Sequence, residues 1–282
     1  MLDVILFGCC ATTADRCAAA VRASGARLVG VVTAPHLAER IELRSADLLL
    51  VAGWPERLGA ALLAGPRLGA VNVHPSLLPR YRAREPIFWT ILAGDEQSGV
   101  TLHRMTAGID AGPVLLQRAI AVPPRSTSAM LAARLDALAG ELTGELCQLA
   151  LRGCLPEGQP QRGEVTSFRR VRESDGELRW TEPAEALERR VRACAGVLEA
   201  RAFYQGMKVV VLEVDVARIA ERASPGTVLS IADDALVVAA GDGTALALRR
   251  CAFLGRTRTG ARLATDLLLS PGRRLDAKHE GT

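Results

Sequence analysis

Lysine and aromatic residues are scarce in this chain of 282 residues. Only Lys208 and Lys278 are lysines among 35 basic residues, and aromatic residues make up 4%. The formal net charge of +4 is too small to identify a binding partner. It is concentrated in residues 241–282, which hold eight basic and four acidic side chains. Such a segment fits contact with nucleic acid or anionic substrates, and equally a solvated surface.

Long apolar runs and metal-binding motifs are also missing. No stretch of about 18 consecutive apolar residues occurs, so no transmembrane helix is expected. The first residues include Asp3 but no basic stretch, which indicates a first strand and not a signal peptide. We therefore expect a cytoplasmic protein with no membrane partner. The seven cysteines are scattered without a Cys-x-x-Cys pair, so no metal is expected and most are interpreted as small buried hydrophobes.

The first half of the chain alternates apolar runs with helical patterns. Apolar runs predict strands at 4–7, 27–33, 47–52, 70–74 and 100–105. Helical patterns lie at 14–23, 55–63, 86–93 and 126–151. Strands that are almost purely apolar and alternate with helices predict an α/β fold with a mostly parallel sheet covered on both faces. We assign this domain to residues 1–152.

The remaining residues show a different pattern. Residues 153–161 are rich in Gly, Pro and Gln, which predicts a linker. A helical pattern follows at 184–194. Short strands separated by Gly, Pro and Asp turns are then predicted at 202–203, 208–214, 226–231, 235–239 and 244–248. Because closely spaced short strands are typical of a small β-barrel, we divide this part into a linker and helix, 153–200, and a barrel domain, 201–282.

The densest polar cluster follows the fourth predicted strand, in Val71-Asn72-Val73-His74-Pro75-Ser76-Leu77-Leu78-Pro79-Arg80-Tyr81-Arg82. Asn72 and His74 are two residues apart, so their side chains share one face of the strand. Ligands of open α/β sheets bind beyond the carboxyl ends of strands. There an amide can donate to a developing oxyanion, and an imidazole can carry a proton near neutral pH. The pair therefore favours acyl transfer.

A carboxylate in a second segment completes the candidate catalytic group. Gly99-Val100-Thr101-Leu102-His103-Arg104-Met105 is followed by Gly108-Ile109-Asp110-Ala111-Gly112-Pro113. Asp110 therefore lies in a glycine-flanked loop after a strand, where catalytic carboxylates are often placed. It could fix the tautomer of the imidazole and stabilise its charged form. Taken alone, Asp110 is more readily interpreted as a turn residue than as a catalytic one.

These motifs, in this order and spacing, resemble the folate-dependent formyltransferase family, which includes glycinamide ribonucleotide, methionyl-tRNA and amino-sugar formyltransferases. Later segments are similar to the linker and C-terminal domain of its longer members: Phe168-Arg169-Arg170, Asp175-Gly176, Leu178-Arg179-Trp180, Pro225-Gly226-Thr227-Val228 and Gly241-Asp242-Gly243. The resemblance implies a Rossmann-like catalytic domain with a small OB-like barrel. It also implies that 10-formyltetrahydrofolate is the co-substrate and that no metal is needed.

The resemblance assigns roles to individual residues. Asn72 would hold the formyl oxygen, His74 would transfer a proton, and Asp110 would partner His74. The folate would be bound by two segments, Val51-Ala52-Gly53-Trp54 and Thr106-Ala107-Gly108-Ile109, largely through backbone groups. The acceptor would meet Ser76, Arg82, Glu85 and His103. For Glu85 a solvated loop acid, and for His103 a packed histidine, are the alternatives.

Two departures from the family pattern bear on the acceptor. Family members usually carry Gly after Tyr-Arg, where this chain has Ala83. Long members also place a basic loop, a strand and a helix between the positions of Thr33 and Asp47, where this chain has only about a dozen residues. In the tRNA-directed branch the basic loop meets the acceptor stem. Its absence, and the likeness of Gly-Val-Thr-Leu-His-Arg-Met to amino-sugar nucleotide enzymes, favour a small-molecule amine.

Three other interpretations remain open at this point. A methionyl-tRNA formyltransferase is supported by the basic C-terminal segment. A non-catalytic nucleic-acid-binding protein could use the barrel, although that segment offers only Phe253 for base stacking. A dinucleotide-binding enzyme is disfavoured, because Gly8 is followed by Cys9-Cys10-Ala11 and not by the glycines of that fingerprint.

Overall fold

A computed structural model describes residues 1–40, 46–218 and 223–276. The chain divides into two compact units. The first consists of Met1–Ile87, Glu96–Pro124 and Met130–Arg170, and the second of Phe88–Asp95, Arg125–Ala129 and Val171–Thr282. Residues 153–170 of the predicted linker therefore lie in the first unit. Part of the short segment between Thr33 and Asp47 that bears on the acceptor, residues 41–45, lies outside the described residues.

The first unit is built on a six-stranded sheet with the order β2-β1-β3-β4-β6-β7. Its strands are β1 (Asp3–Phe7), β2 (Arg27–Val32), β3 (Leu48–Ala52), β4 (Ala70–His74), β6 (Gln97–Arg104) and β7 (Val114–Ala121). A separate two-stranded sheet joins β5 (Arg82–Ala83) to β8 (Ser167–Phe168). The first four main-sheet strands pair in parallel, whereas β6 and β7 are antiparallel. This confirms the α/β fold with a mostly parallel sheet.

The central strands explain why the sequence pattern is so apolar. Every residue of β3 is buried, because the strand is covered on both faces. In β4 only Asn72 is not fully buried, and that strand ends at His74. The polar side chains of these two strands, Asn72 and His74, therefore lie in the carboxyl-terminal half of β4, where they are available for chemistry.

The helices are α1 (Ala11–Ala23), α2 (Ala60–Ala64), α3 (Pro86–Ala93), α4 (Ser128–Leu151), α5 (Ala184–Cys194) and α6 (Gly260–Asp266). None of the helices in the described part of the chain is long and apolar enough to cross a membrane. The helix predicted at 55–63 is wrong, since only Ala60–Ala64 are helical. Trp54 and Leu58 instead pack on an apolar cluster that includes Phe7, and Gly59 has an extended conformation before α2 begins.

The second unit contains an antiparallel sheet with the order β11-β12-β13-β10-β9, and β14 pairs with β13. Its strands are β9 (Arg201–Tyr204), β10 (Met207–Arg218), β11 (Val228–Ala232), β12 (Ala235–Ala239), β13 (Thr244–Phe253) and β14 (Arg256–Thr259). The segment 274–276 bridges Thr227 at one edge and Phe203 at the other. It therefore connects the two edge strands, as a closed arrangement of this sheet requires. Two elements, β14 and α6, were not predicted from the sequence.

Candidate active site

The sheet register brings the first polar residues together. Val51 of β3 pairs with Asn72 of β4, which in turn pairs with His103 of β6. His74 pairs with Thr101 in the same way. Because alternate residues of a strand share one face, Asn72, His74 and His103 project toward the same side of the sheet. Their rings and amide therefore meet although they come from different strands.

Asp110 lies at the centre of this group. Its Oδ1 atom accepts a hydrogen bond from Asn72 Nδ2 (3.1 Å), and its Oδ2 atom accepts one from the backbone N–H of Ala83 (2.9 Å). His103 Nε2 lies 3.4 Å from Oδ1, and His74 Nδ1 lies 3.7 Å from Oδ2. The carboxylate thus contacts all the polar side chains that the register assembles. The sequence pointed to the pair with His74, but the closest contacts are those with Ala83 and Asn72.

The carboxyl group is held in its charged form. Burial alone would raise the pKa of Asp110, but the contacts with His103, His74 and the Ala83 N–H outweigh it and lower the pKa to about 2. At neutral pH the site therefore contains one fixed negative charge. That charge favours any positive charge that develops on a neighbouring imidazole.

His74 is neutral at rest. Its side chain is buried, which lowers its pKa, and the charge of Asp110 opposes this effect without reversing it. Asp110 thus stabilises the charged form of His74, as the sequence predicted, but burial has the larger effect on the pKa. Nε2 lies 2.8 Å from the carbonyl oxygen of Tyr81, and a carbonyl only accepts, so Nε2 carries the proton. Nδ1, beside Asp110, is left free to take up a proton.

His103, one of the residues predicted to meet the acceptor, is buried, with 2% of its surface exposed. Its Nδ1 donates to the carbonyl oxygen of Arg104 (2.9 Å), so Nε2 can accept from Asn72 Nδ2 at 3.2 Å. The two N–H groups of Asn72 are thus directed at Asp110 and His103. Donation to a substrate oxygen would replace one of these contacts, and this competition was not predictable from the sequence.

Buried hydroxyl groups hold the loop that follows β4 in place. Ser76 is fully buried, and its hydroxyl donates to the carbonyl oxygen of Arg80 (2.8 Å). The hydroxyl of Thr101 donates to the carbonyl oxygen of Ser76 (2.6 Å) and accepts from the N–H of Leu78 (3.2 Å). Ser76 was predicted to meet the acceptor, but its burial and its bond to Arg80 place it in the framework beneath the site.

The other two residues predicted to meet the acceptor are partly exposed. Arg82 donates through Nε and Nη2 to the side-chain oxygen of Gln161 (3.2 and 2.7 Å). Glu85 has an oxygen 3.9 Å from Nε of Arg170. Tyr81, Ala83 and Glu85 all have positive φ angles, of 58°, 74° and 45°. The loop that carries Arg82 and Glu85 is therefore sharply bent around the carboxylate of Asp110.

The two segments predicted to bind folate differ in exposure. Val51 and Ala52 are buried at the end of β3, while Gly53 is exposed with a φ of 64°. Thr106, Ala107, Gly108 and Ile109 are exposed and lead directly into Asp110. The indole N–H of Trp54 is buried and has no hydrogen-bond partner among the described residues, and its ring lies 5.0 Å from that of Phe7. An unpaired donor beside an aromatic ring fits a flat heterocycle with acceptor atoms.

No group of three or more His, Cys, Asp or Glu side chains in the described ranges is placed to hold a metal ion. Asn72 is hydrogen-bonded to Asp110 and His103, and His74 lies beside the carboxylate of Asp110 with its Nδ1 atom unprotonated. Their chemistry is that of proton transfer and oxyanion stabilisation.

Comparisons with known proteins agree with this chemistry. Residues 20–145 match the family described as formyl transferase, and residues 170–264 match the formyl transferase C-terminal domain. The chain is 37% identical over 236 residues to the methionyl-tRNA formyltransferase of Halorhodospira halophila (strain DSM 244 / SL1). That match covers 83% of this chain and 76% of the relative.

Two solved structures have a similar fold. HypX from Aquifex aeolicus in complex with tetrahydrofolic acid matches with a TM-score of 0.69 and 16% identity, over 99% of this chain and 50% of HypX. This chain thus spans half the length of HypX. The N-formyltransferase from Helicobacter canadensis, in complex with folinic acid and dTDP-3-aminofucose, matches with a TM-score of 0.63 and 14% identity, over 88% of this chain and 99% of the other. At such identities the likeness concerns the fold alone.

Proposed function

Since this chain belongs to the formyl transferase family, whose members use formyl-tetrahydrofolate, we propose that it transfers the formyl group to the amine of a small molecule through Asn72, His74 and Asp110. The observation that carries this proposal is the placement of one charged carboxylate between the amide of Asn72 and the Nδ1 atom of His74. An oxyanion donor and a proton acceptor are thereby held side by side at the carboxyl end of β4.

The folate would be bound by the loops that flank this carboxylate. Residues 51–54 extend from the strand next to Asn72, and residues 106–109 precede Asp110. The unpaired indole N–H of Trp54 is a donor for a ring heteroatom. Bound folate supplies the formyl group, and the folate nitrogen that loses this group takes up a proton.

The side chains divide the remaining work. Asn72 turns one N–H from His103 to the formyl oxygen, where negative charge develops as the amine attacks. The Nδ1 atom of His74 accepts the proton that the amine loses, because Nε2 already carries a proton, which it donates to the carbonyl oxygen of Tyr81. The imidazolium formed in this way lies beside Asp110, whose charge stabilises it. Transfer of that proton to the departing nitrogen restores the neutral imidazole.

The acceptor is the less constrained part of the proposal. The short connection between Thr33 and Asp47 leaves no room in sequence for the basic loop, strand and helix of the tRNA-directed branch. The basic residues Arg82 and Arg84 precede Glu85 in the chain segment beside Asp110. Guanidinium and carboxylate groups carried by one segment suit an amine that also carries phosphate. An amino-sugar nucleotide has both features.

A methionyl-tRNA acceptor is the second candidate. It is favoured by the identity of 37% to a methionyl-tRNA formyltransferase and by the excess of basic residues in 241–282. Part of that segment, 277–282, lies outside the described residues. Both candidates share the formyl donor and the catalytic residues, so only the acceptor distinguishes them.

A competition between acceptors tests the proposal. The protein is given 10-formyltetrahydrofolate with either dTDP-3-aminofucose, a panel of amino-sugar nucleotides and simple amines, or charged initiator methionyl-tRNA, and release of tetrahydrofolate is followed. We expect a higher kcat/KM for one of the small amines than for the tRNA. We also expect a weak dependence on salt, because phosphate contacts to tRNA weaken steeply as salt rises.

Efficient formylation of the tRNA, at or above the best small amine, would replace the small-molecule acceptor by the tRNA. Asn72→Ala provides the control in each arm, since loss of an oxyanion donor should lower turnover with either acceptor. If no acceptor is formylated and formyl-tetrahydrofolate does not bind, the proposed activity itself is wrong.

A further inference from the structure

The side chain of Gln161 spans two parts of the candidate site that are distant in sequence. Its amide nitrogen donates to the carbonyl oxygens of Asp110 (2.7 Å) and Gly112 (2.9 Å). Its oxygen accepts from Nη2 and Nε of Arg82 (2.7 and 3.2 Å). Both polar atoms of this amide are therefore engaged. The nitrogen binds the turn that carries Asp110, and the oxygen binds the loop that follows β4.

The turn that Gln161 contacts needs external support. Asp110 has a φ of 46°, a left-handed conformation that is unfavourable for a non-glycine residue. The four residues before it are exposed. The backbone at Gly112 passes so close to Arg104 that an added Cβ would lie 1.8 Å from the Arg104 carbonyl oxygen. The turn is therefore tightly fitted on one side and exposed on the other, and the Gln161 amide bonds to the carbonyl groups at both its ends.

The segment around Gln161 is itself anchored to the first unit. The backbone of Gln159 exchanges two hydrogen bonds with Val114 (2.8 Å each). Thr166 accepts from the N–H of Tyr81 through its hydroxyl (2.8 Å), and its carbonyl accepts from the N–H of Arg82 (2.9 Å). Gln161 is thus presented from a backbone fixed on both sides, and its amide can act as a rigid support for the Asp110 turn.

We propose that Gln161 is a positioning residue for formyl transfer, which holds the Asp110 turn so that the carboxylate stays between Asn72 and His74. This inference rests on the catalytic role proposed for Asp110. Only a side chain with both a donor and an acceptor meets the requirement, because the carbonyl oxygens of Asp110 and Gly112 accept and the guanidinium of Arg82 donates. The geometry therefore specifies an amide at position 161.

The isosteric variant Gln161→Glu distinguishes the donor function of the amide from its acceptor function. It keeps an acceptor for Arg82 but loses both donors to the turn. The matched control is Gln159→Glu, which places the same charge two residues away on an exposed side chain. We expect Gln161→Glu to lower kcat by about tenfold to a hundredfold, as small displacements of reacting groups do. The KM for formyl-tetrahydrofolate and the melting temperature should stay close to those of Gln159→Glu.

Gln161→Met, which removes the hydrogen bonds without adding charge, should show the same loss of kcat. It keeps the test decisive if Gln161→Glu does not fold. A double-mutant cycle with Asp110→Asn then isolates the positioning role. Because Gln161 acts through Asp110, Gln161→Met should lower kcat by less than about twofold when Asp110 is already Asn.

Three outcomes would overturn this inference. One is a kcat of both Gln161 variants equal to that of Gln159→Glu, and another is an undiminished loss in the Asp110→Asn background. The third is a loss of kcat that only follows a fall in melting temperature, which would reduce Gln161 to a structural role. Near-normal turnover of Asp110→Asn alone is a different result, since it would refute the proposed function of Asp110 and not the contacts of Gln161.

Discussion

Asn72 is the only asparagine in the chain. It occupies the one position of β4 that is not fully buried, and its amide is paired with Asp110 and His103. An amide at this point serves the site and contributes little to the core. The sequence could predict that Asn72 and His74 share a face, because that follows from the period of a strand. It could not predict that both N–H groups of Asn72 are already engaged, since their partners come from other segments.

The first prediction concerns the oxyanion. Asn72→Ala should lower turnover by roughly a hundredfold or more, the usual loss of one oxyanion donor. Binding of formyl-tetrahydrofolate should persist, because the flanking loops that we expect to hold it are unchanged. Steady-state kinetics together with a direct binding titration checks both parts. Turnover near that of the unmodified protein would remove Asn72 from the mechanism.

The second prediction concerns the charge of Asp110. Asp110→Asn keeps the shape of the side chain and should lower turnover strongly. Because the carboxylate raises the pKa of His74 against the effect of burial, its removal should lower that pKa further. The acid limb of the pH–rate profile should therefore move to lower pH. Asp15→Asn, the same change at an exposed residue of α1, is the matched control and should leave the profile in place. An unmoved acid limb in Asp110→Asn would contradict the coupling.

At the scale of elements, the strands were easier to predict than the connections between them. β1, β3 and β4 follow apolar runs that end at Gly or polar residues, and the prediction placed them within one residue of their ends. The helix predicted at 55–63 does not form, because packing of Trp54 and Leu58 on the apolar cluster stabilises the segment more than helix formation would. β7 was missed because the consecutive polar residues Gln117 and Arg118 interrupt its apolar run at an antiparallel edge of the sheet.

The third prediction concerns the short strand β5. Ala83 donates its N–H to Asp110 at a φ of 74°, where family members usually carry Gly. Ala83→Gly should retain activity and stability, because relief of left-handed strain and the added freedom of the unfolded chain, each of about 1 kcal/mol, offset one another. Ala83→Val should lower both turnover and melting temperature, since a β-branched residue is strongly disfavoured at positive φ. Equal behaviour of the two variants would show that this backbone conformation is not needed.

At the scale of the whole molecule, much of the site is formed by residues that are far apart in the sequence. The sequence motifs identified Asn72, His74 and Asp110, and the register of β4 and β6 explains the contact with His103. The contribution of residues 159–168 was not foreseeable, because Gln161 and Thr166 act on backbone groups that are 49 to 85 residues away in sequence. Backbone carbonyl and N–H groups carry no residue-specific signal, so a sequence pattern cannot reveal such partners.

The final prediction concerns the dependence of stability on pH. Burial lowers the pKa of His74 below its ordinary value of about 6.5, so the folded protein binds a proton there less readily than the unfolded chain does. The contribution of His74 to stability is therefore complete above pH 6.5 and is lost as the pH falls below it. Asp110, whose folded pKa is about 2, and the other carboxylates with lowered pKa values lose their contributions only below about pH 4.

The window from pH 7 to pH 5 thus isolates His74 from these carboxylates. We expect the melting temperature of the unmodified protein to fall across this window, and that of His74→Asn to change less, whatever its absolute stability. His36→Asn is the matched control, because His36 is exposed and lies outside the site, and its profile should follow that of the unmodified protein. We compare the slope of melting temperature against pH and not the melting temperature itself, since replacing a buried ring destabilises the fold at every pH. Parallel slopes for all three proteins would mean that His74 binds a proton equally readily in the folded and unfolded states, which would contradict the lowered pKa that burial gives it.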